Sequence, residues 1–118
     1  MNEFMLIYKG GDPDWMANTT ELDMAKSMEK WGQWMAQLEA TQQLVSGGSP
    51  LDYSGKRLSN DKVETDIAAA EFKELVSGYS IIRANNINDA TTLAKSCPIF
   101  DYPGVEVEIR QIMCTDNS

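Results

Sequence analysis

The 118-residue sequence contains no histidine. That absence excludes a Ser-His-Asp triad, a Cys-His nucleophile pair, a histidine-ligated zinc site and an imidazole pH switch. Proton transfer near neutral pH is left to a carboxyl, lysine, tyrosine or cysteine of shifted pKa. Cysteine is scarce: Cys97 and Cys114 show no CxxC spacing, and a domain of this size needs no disulfide framework, so both read as free thiols. Positive charge is scarce too. Ten Lys plus Arg stand against eighteen Asp plus Glu, a net charge of −8, and the only arginines are Arg57, Arg83 and Arg110. No basic run can neutralise a nucleic-acid backbone or hold an anionic membrane, so neither is an expected partner. Long apolar runs are also missing. The run Phe4 to Tyr8 is shorter than a signal-peptide core and far short of the roughly 20 apolar residues of a membrane span, which predicts a cytoplasmic protein. Asp12-Pro13-Asp14 lacks the calcium-loop glycine, and the pairs Gly10-Gly11 and Gly47-Gly48 lack the spacing of a phosphate cradle. No metal and no cofactor are expected.

What remains is an ordinary globular composition, 42% apolar and 24% charged. It predicts a single domain over residues 1–114 with a frayed tail at 115–118. Phe4 to Tyr8 reads as a buried central strand closed by Gly10-Gly11-Asp12-Pro13. Thr20, with Asp23 three residues on, reads as a helix N-cap. Met24, Met28, Trp31, Met35 and Leu38 then recur at helical spacing, predicting an amphipathic helix of five or six turns. Leu44-Val45-Ser46 is a short strand stopped by Gly47-Gly48-Ser49-Pro50. Lys56–Ser59 and Lys62–Thr65 can pair as a hairpin about Asn60-Asp61. Ile67–Val76 reads as helix, Ser77-Gly78 as the lead into a strand over Tyr79–Ala84. Asn86 or Asn88 caps a second long helix that runs to Ser96 and stops at Cys97-Pro98. Pro103-Gly104 turns the chain into Val105–Arg110, where apolar and charged residues alternate as in a strand with one wet face.

This order predicts an α+β, ferredoxin-like βαββαβ fold with an antiparallel sheet. Two helices cover one face of such a sheet. The first strand is apolar on both, with Phe4, Leu6 and Tyr8 one way and Met5 and Ile7 the other. A second copy of the sheet is the simplest cover for the other face, so a homodimer is expected.

The segment Thr65-Asp66-Ile67-Ala68-Ala69-Ala70-Glu71-Phe72-Lys73-Glu74, followed by Gly78-Tyr79-Ser80-Ile81, resembles the signature of YCII-related proteins, in particular the DGPF branch. Thr65, Asp66, Ala70, Glu71, Lys73 and Glu74 match it, and Ile67-Ala68-Ala69 stands where that branch has Gly-Pro-Phe. Phe4–Tyr8, Trp31-Gly32-Gln33-Trp34, Cys97-Pro98 and Glu108-Ile109-Arg110 resemble further pieces in order. The resemblance implies a dimeric α/β barrel of two sheets packed face to face. It implies Asp66 as the catalytic aspartate of a His-Asp pair whose histidine has no counterpart here. It also implies an association with extracytoplasmic-function sigma factors, whose genes often accompany this branch.

Asp66 is therefore the first candidate for acid-base chemistry or ligand binding; as an N-cap of the following helix it would serve structure alone. Trp31 and Trp34, with Met28 and Met35, can line an aromatic pocket or simply fill the core. Tyr79 can reach a pocket with its hydroxyl. Glu108 and Arg110 share one strand face and can bind a small polar ligand, or can be an exposed charged face. Two functions follow as expectations. One is a dimeric small-molecule binder or cofactor-independent enzyme with a pocket between sheet and helix. The other is a non-catalytic accessory protein of a sigma-factor system.

Overall fold

A computed structural model describes residues 1–12, 14–64 and 75–114. Along the chain run β1 (Asn2–Gly10), α1 (Trp15–Asn18), α2 (Glu21–Ala40), β2 (Leu44–Ser46), β3 (Arg57–Ser59), β4 (Lys62–Glu64), β5 (Val76–Ala84), α3 (Ile87–Lys95), a 3₁₀ turn (Pro98–Asp101) and β6 (Val105–Gln111). Four strands form one antiparallel sheet in the order β2-β5-β1-β6, and β3 and β4 pair separately as a hairpin. With the hairpin set aside, this is the ferredoxin-like order of strands.

Alternation along β1 divides the sheet's two faces. Phe4, Leu6 and Tyr8 are buried beneath the helices and stand opposite Ile82, Ser80 and Gly78 of β5 and Gln111, Ile109 and Val107 of β6. The core joins these to Trp34 and Leu38 of α2 and to Ala90 and Ala94 of α3, whose small side chains let that helix lie close to the sheet. The other face carries Met5, Ile7, Tyr79 and Ile81, all half-buried, beside the exposed Glu106, Glu108 and Arg110 of β6.

The start of α2 follows its capping residues. Thr20 accepts a hydrogen bond from the Asp23 N–H at 3.1 Å, and Glu21 and Asp23 place negative charge in the first turn. Its inward stripe differs from the expected one at a single level. Met28 is 70% exposed, and Ser27 faces inward instead, bonded to the Tyr102 hydroxyl. A polar seam lies at that height, so the hydroxyl goes in and the thioether goes out. The helix ends in a Schellman motif. Gln42 adopts φ 60°, with the Gln43 N–H on the Leu38 carbonyl at 2.7 Å and the Gln42 N–H on Glu39 at 3.0 Å.

Strand β5 begins at Val76, three residues before the expected start. Gly78 marks a close backbone approach there. Pro50 bridges to it, the Leu51 N–H donates to the Ser77 carbonyl at 2.9 Å, and a Cβ on Gly78 would meet the Ser49 carbonyl oxygen at 3.1 Å. Gly48 is tighter still: its φ is +73°, and a Cβ would fall 1.6 Å from the Tyr79 carbonyl oxygen. Val76 thus belongs to a strand rather than to the helix expected over Ile67–Val76; residues 65–74 of that region lie outside the described residues. Asn86, rather than Asn88, caps α3 by accepting the Asp89 N–H at 2.8 Å. The short α1 and the 3₁₀ turn at Pro98 were not expected from the pattern.

Candidate functional site

Beneath the helices, a line of polar groups crosses the core. The Tyr8 hydroxyl donates to Ser80 Oγ at 2.7 Å, and Ser80 Oγ donates to the Gly47 carbonyl at 2.9 Å. Cys97 Sγ lies 3.5 Å from the Tyr8 hydroxyl and completes the line as a thiol donor. Burial holds the Tyr8 hydroxyl well above its ordinary 10.0, and the neighbouring Cys97 adds to the shift. Burial likewise raises the Cys97 thiol above its ordinary 9.0, more than its bond to Tyr8 lowers it. At neutral pH both stay protonated. The thiol is a packed hydrogen-bond donor there, not a nucleophile.

A row of aromatic rings flanks that line. Tyr8 meets Trp31 edge to face at 5.9 Å, and Trp31 meets Trp34 at 5.8 Å and 84°. Trp31 Nε1 donates to the Tyr102 hydroxyl at 3.1 Å, and Tyr102 packs edge-on against Trp15 at 4.7 Å. Trp34 is buried, with its Nε1 donating to Ser96 Oγ at 3.2 Å and Ser96 donating onward to the Leu93 carbonyl at 2.8 Å. Every buried indole and hydroxyl of the row therefore has a partner, which makes it a rigid wall.

The outer side of that wall is a groove between α2 and the segment running from Lys95 to Tyr102. It has two clefts. The larger, about 380 Å³, is lined by Gln33, Trp34 and Gln37 of α2 and by Lys95, Cys97 and Phe100 opposite. The smaller, about 210 Å³, is lined by Trp15, Asp23, Lys26, Ser27 and Tyr102. Both share Lys30 and Asp101, which pair across the groove at 3.1 Å. Phe100 is half exposed in the larger cleft.

No family model matches this chain, and no curated protein matches it. Among solved structures it is similar to 5-chloro-2-hydroxyhydroquinone dehydrochlorinase from Burkholderia phenoliruptrix, in its complex with 2,5-dihydroxybenzoquinone. The identity is 14% and the TM-score 0.47, over 89% of this chain and 90% of that one. At that level no residue role passes from that enzyme to this chain.

The sheet separates the expected site residues into two sets. Trp31 and Trp34 stand together on the helix side. Tyr79, Glu108 and Arg110 lie on the opposite face, where Arg110 and Glu108 approach to 3.6 Å. Arg83 pairs with Glu3 at 3.7 Å on that same face. Asp66 and Lys73 lie outside the described residues. Among the described residues, no cluster of three or more Cys, Asp and Glu is placed to hold a metal ion, and no helix is long and apolar enough to cross a membrane. Cys97 is a buried free thiol and Cys114 an exposed one. Sequence reasoning missed the Tyr8–Ser80–Cys97 line and the Lys30–Asp101 bridge. Alternation did carry one signal for the first: it placed two hydroxyls, Tyr8 and Ser80, on the strand faces opposite to Ile7 and Tyr79.

Proposed function

We propose that this protein is a homodimer of the α/β-barrel type that binds a small, ring-bearing molecule in the α2 groove of each protomer. The groove is the observation that carries the reading. It is a concave space of about 380 Å³ with a half-exposed ring at Phe100, the buried Trp34 behind it, and polar groups from Lys30, Gln33, Gln37 and Lys95 around them. The YCII-related resemblance supports the dimer, as does the apolar part of the open face, Met5, Ile7, Tyr79 and Ile81 with Val45 at its edge. In a face-to-face dimer Tyr79, Glu108 and Arg110 lie between the two sheets. Binding is the primary activity in this reading. Tyr8 and Cys97 hold their protons too tightly for acid-base work at neutral pH, and the YCII-related resemblance supports Asp66 as the group for any proton transfer.

Two measurements test this. Light scattering at micromolar concentration should give a dimer mass, and Ile7→Lys should give a monomer; a monomeric wild type refutes the dimer. Thermal-shift screening against aromatic metabolites should find a stabilising compound whose effect is lost in Phe100→Ala. Any turnover of that compound should fail in Asp66→Asn. A second reading, the accessory protein of a sigma-factor system, is favoured by one observation. Leu58 and Val63 sit opposite each other in the β3–β4 hairpin, 77% and 52% exposed, an apolar pair suited to a protein partner.

A further inference from the structure

We propose that the α2 groove selects an aromatic carboxylate, and that Lys30 is its anchor, held by Asp101 until the ligand's carboxylate takes Asp101's place. This rests on the binding reading above and names its ligand class. The argument begins with charge. The chain carries −8, yet Lys26, Lys30 and Lys95 line the two clefts against only Asp23 and Asp101. The lining thus carries one positive charge in excess on a negative protein, a local imbalance that favours an anion in the groove over one elsewhere on the surface. Lys26 lies one helical turn before Lys30, so two cations sit on the same helix wall. Among the described residues, neither Lys26 nor Lys95 has an ion-pair partner; Lys30 has Asp101.

The Lys30–Asp101 pair stands where the two clefts meet. A neutral ring compound would fill one cleft and leave that pair in place. A carboxylate can do more, because it offers Lys30 the same group that Asp101 offers. The exchange leaves the number of ion pairs unchanged. It also costs little desolvation, since the Lys30 and Asp101 side chains are already 61% and 55% exposed. The ring then lies against Phe100 in the larger cleft. At about 380 Å³ the larger cleft is near the small end of the ligand-pocket range, roughly 300–1,000 Å³, which fits a one- or two-ring compound.

The test uses the full chain and a matched pair of probes, naphthalene-2-carboxylate and its neutral amide, titrated by calorimetry. The wild type should prefer the carboxylate. Asp101→Asn should raise carboxylate affinity by about three- to fivefold, the worth of one exposed ion pair, and leave the amide unchanged. Lys30→Met should abolish the preference, and added salt should weaken the carboxylate alone. Both substitutions are at exposed positions, and circular dichroism will verify their folding. If both probes bind equally well and Asp101→Asn changes neither, the Lys30 anchor is overturned while the groove survives. If neither probe binds, or if Phe100→Ala leaves both affinities untouched, the groove as the binding site is overturned as well.

Discussion

Replacing Ser80 with alanine should cost far more than the loss of one oxygen atom implies. Ser80 is fully buried, receives the Tyr8 hydroxyl proton at 2.7 Å and donates to the Gly47 carbonyl at 2.9 Å. In Ser80→Ala, the Tyr8 hydroxyl loses its short acceptor and keeps only the Cys97 sulfur at 3.5 Å, a weak one. The Gly47 carbonyl loses its donor too, but Gly47 is only half-buried and can turn to water. A buried polar group left unpaired costs about 1–3 kcal/mol, and the sulfur offsets only part of that, so the expected destabilisation is about 2 kcal/mol. That is a large share of the roughly 5–15 kcal/mol that hold a domain folded. Tyr8→Phe removes the other end of the same bond, but Ser80 can still donate to Gly47, so about 1–2 kcal/mol is expected. The double substitution leaves no stranded hydroxyl between them. Its cost should stay near that of Ser80→Ala alone, which gives a coupling of about 1–2 kcal/mol. Urea unfolding at pH 7 and fixed protein concentration measures all three. Tryptophan fluorescence is a fitting probe, because the Trp31 ring lies 5.9 Å from Tyr8. If the two single costs add to within about 0.5 kcal/mol, the two hydroxyls do not act as a pair and the reasoning fails.

Three further outcomes are expected. Tyr8 and Cys97 both bind their protons more tightly in the folded chain than their ordinary values of 10.0 and 9.0. Stability should therefore be intact below pH 9 and fall as the pH rises past it, with a slope approaching about 1.4 kcal/mol per pH unit for each group. Cys97→Ala should remove the part that begins near pH 9 in urea unfolding at stepped pH. Gly48→Ala should destabilise by at least about 3 kcal/mol, because its Cβ would fall 1.6 Å from the Tyr79 carbonyl oxygen; a smaller loss by denaturant titration would mean that the 47–50 loop relocates cheaply. Gln42→Gly should stabilise by about 0.5–1 kcal/mol, relieving a left-handed conformation at the end of α2, and should raise the melting temperature by a few degrees.

The parts of the fold legible in the sequence are those set by neighbours along the chain. Thr20 with Asp23 marked the start of α2, Asn86 was among the two caps expected for α3, and strict alternation placed β1 and β6 correctly face by face. The misreadings arose where distant chain segments decide. Ser27 displaced Met28 from the inward stripe because Tyr102, 75 residues away, needs a hydroxyl there. Gly78, expected only to lead into a strand, lies within β5 and is a contact point for Ser49 and Pro50. The candidate site divides in the same way. Helical spacing put Trp31 and Trp34 near one another. Lys30 and Asp101, 71 residues apart, share no local pattern that could announce their pairing. Of the candidates read separately from the sequence, Trp31 and Trp34 lie on one side of the sheet and Tyr79, Glu108 and Arg110 on the other. Residue type named candidates for chemistry, and strand parity decided which of them are neighbours.

The loop that seats Gly48 and Pro50 against β5 also bears on solubility. Strand β2 is only three residues long, and past it the edge of β5 is occupied by Pro50 and by the Leu51 N–H. Proline has no amide proton to offer an incoming strand, and the opposite margin, β6, carries Glu106, Glu108 and Arg110. Both margins of the sheet are thus poor templates for adding strands from another molecule. A protein that leaves apolar side chains on an open sheet face while blunting both edges favours association by stacking over association by extension. In the proposed face-to-face dimer, assembly therefore stops at a finite size instead of growing into a fibre.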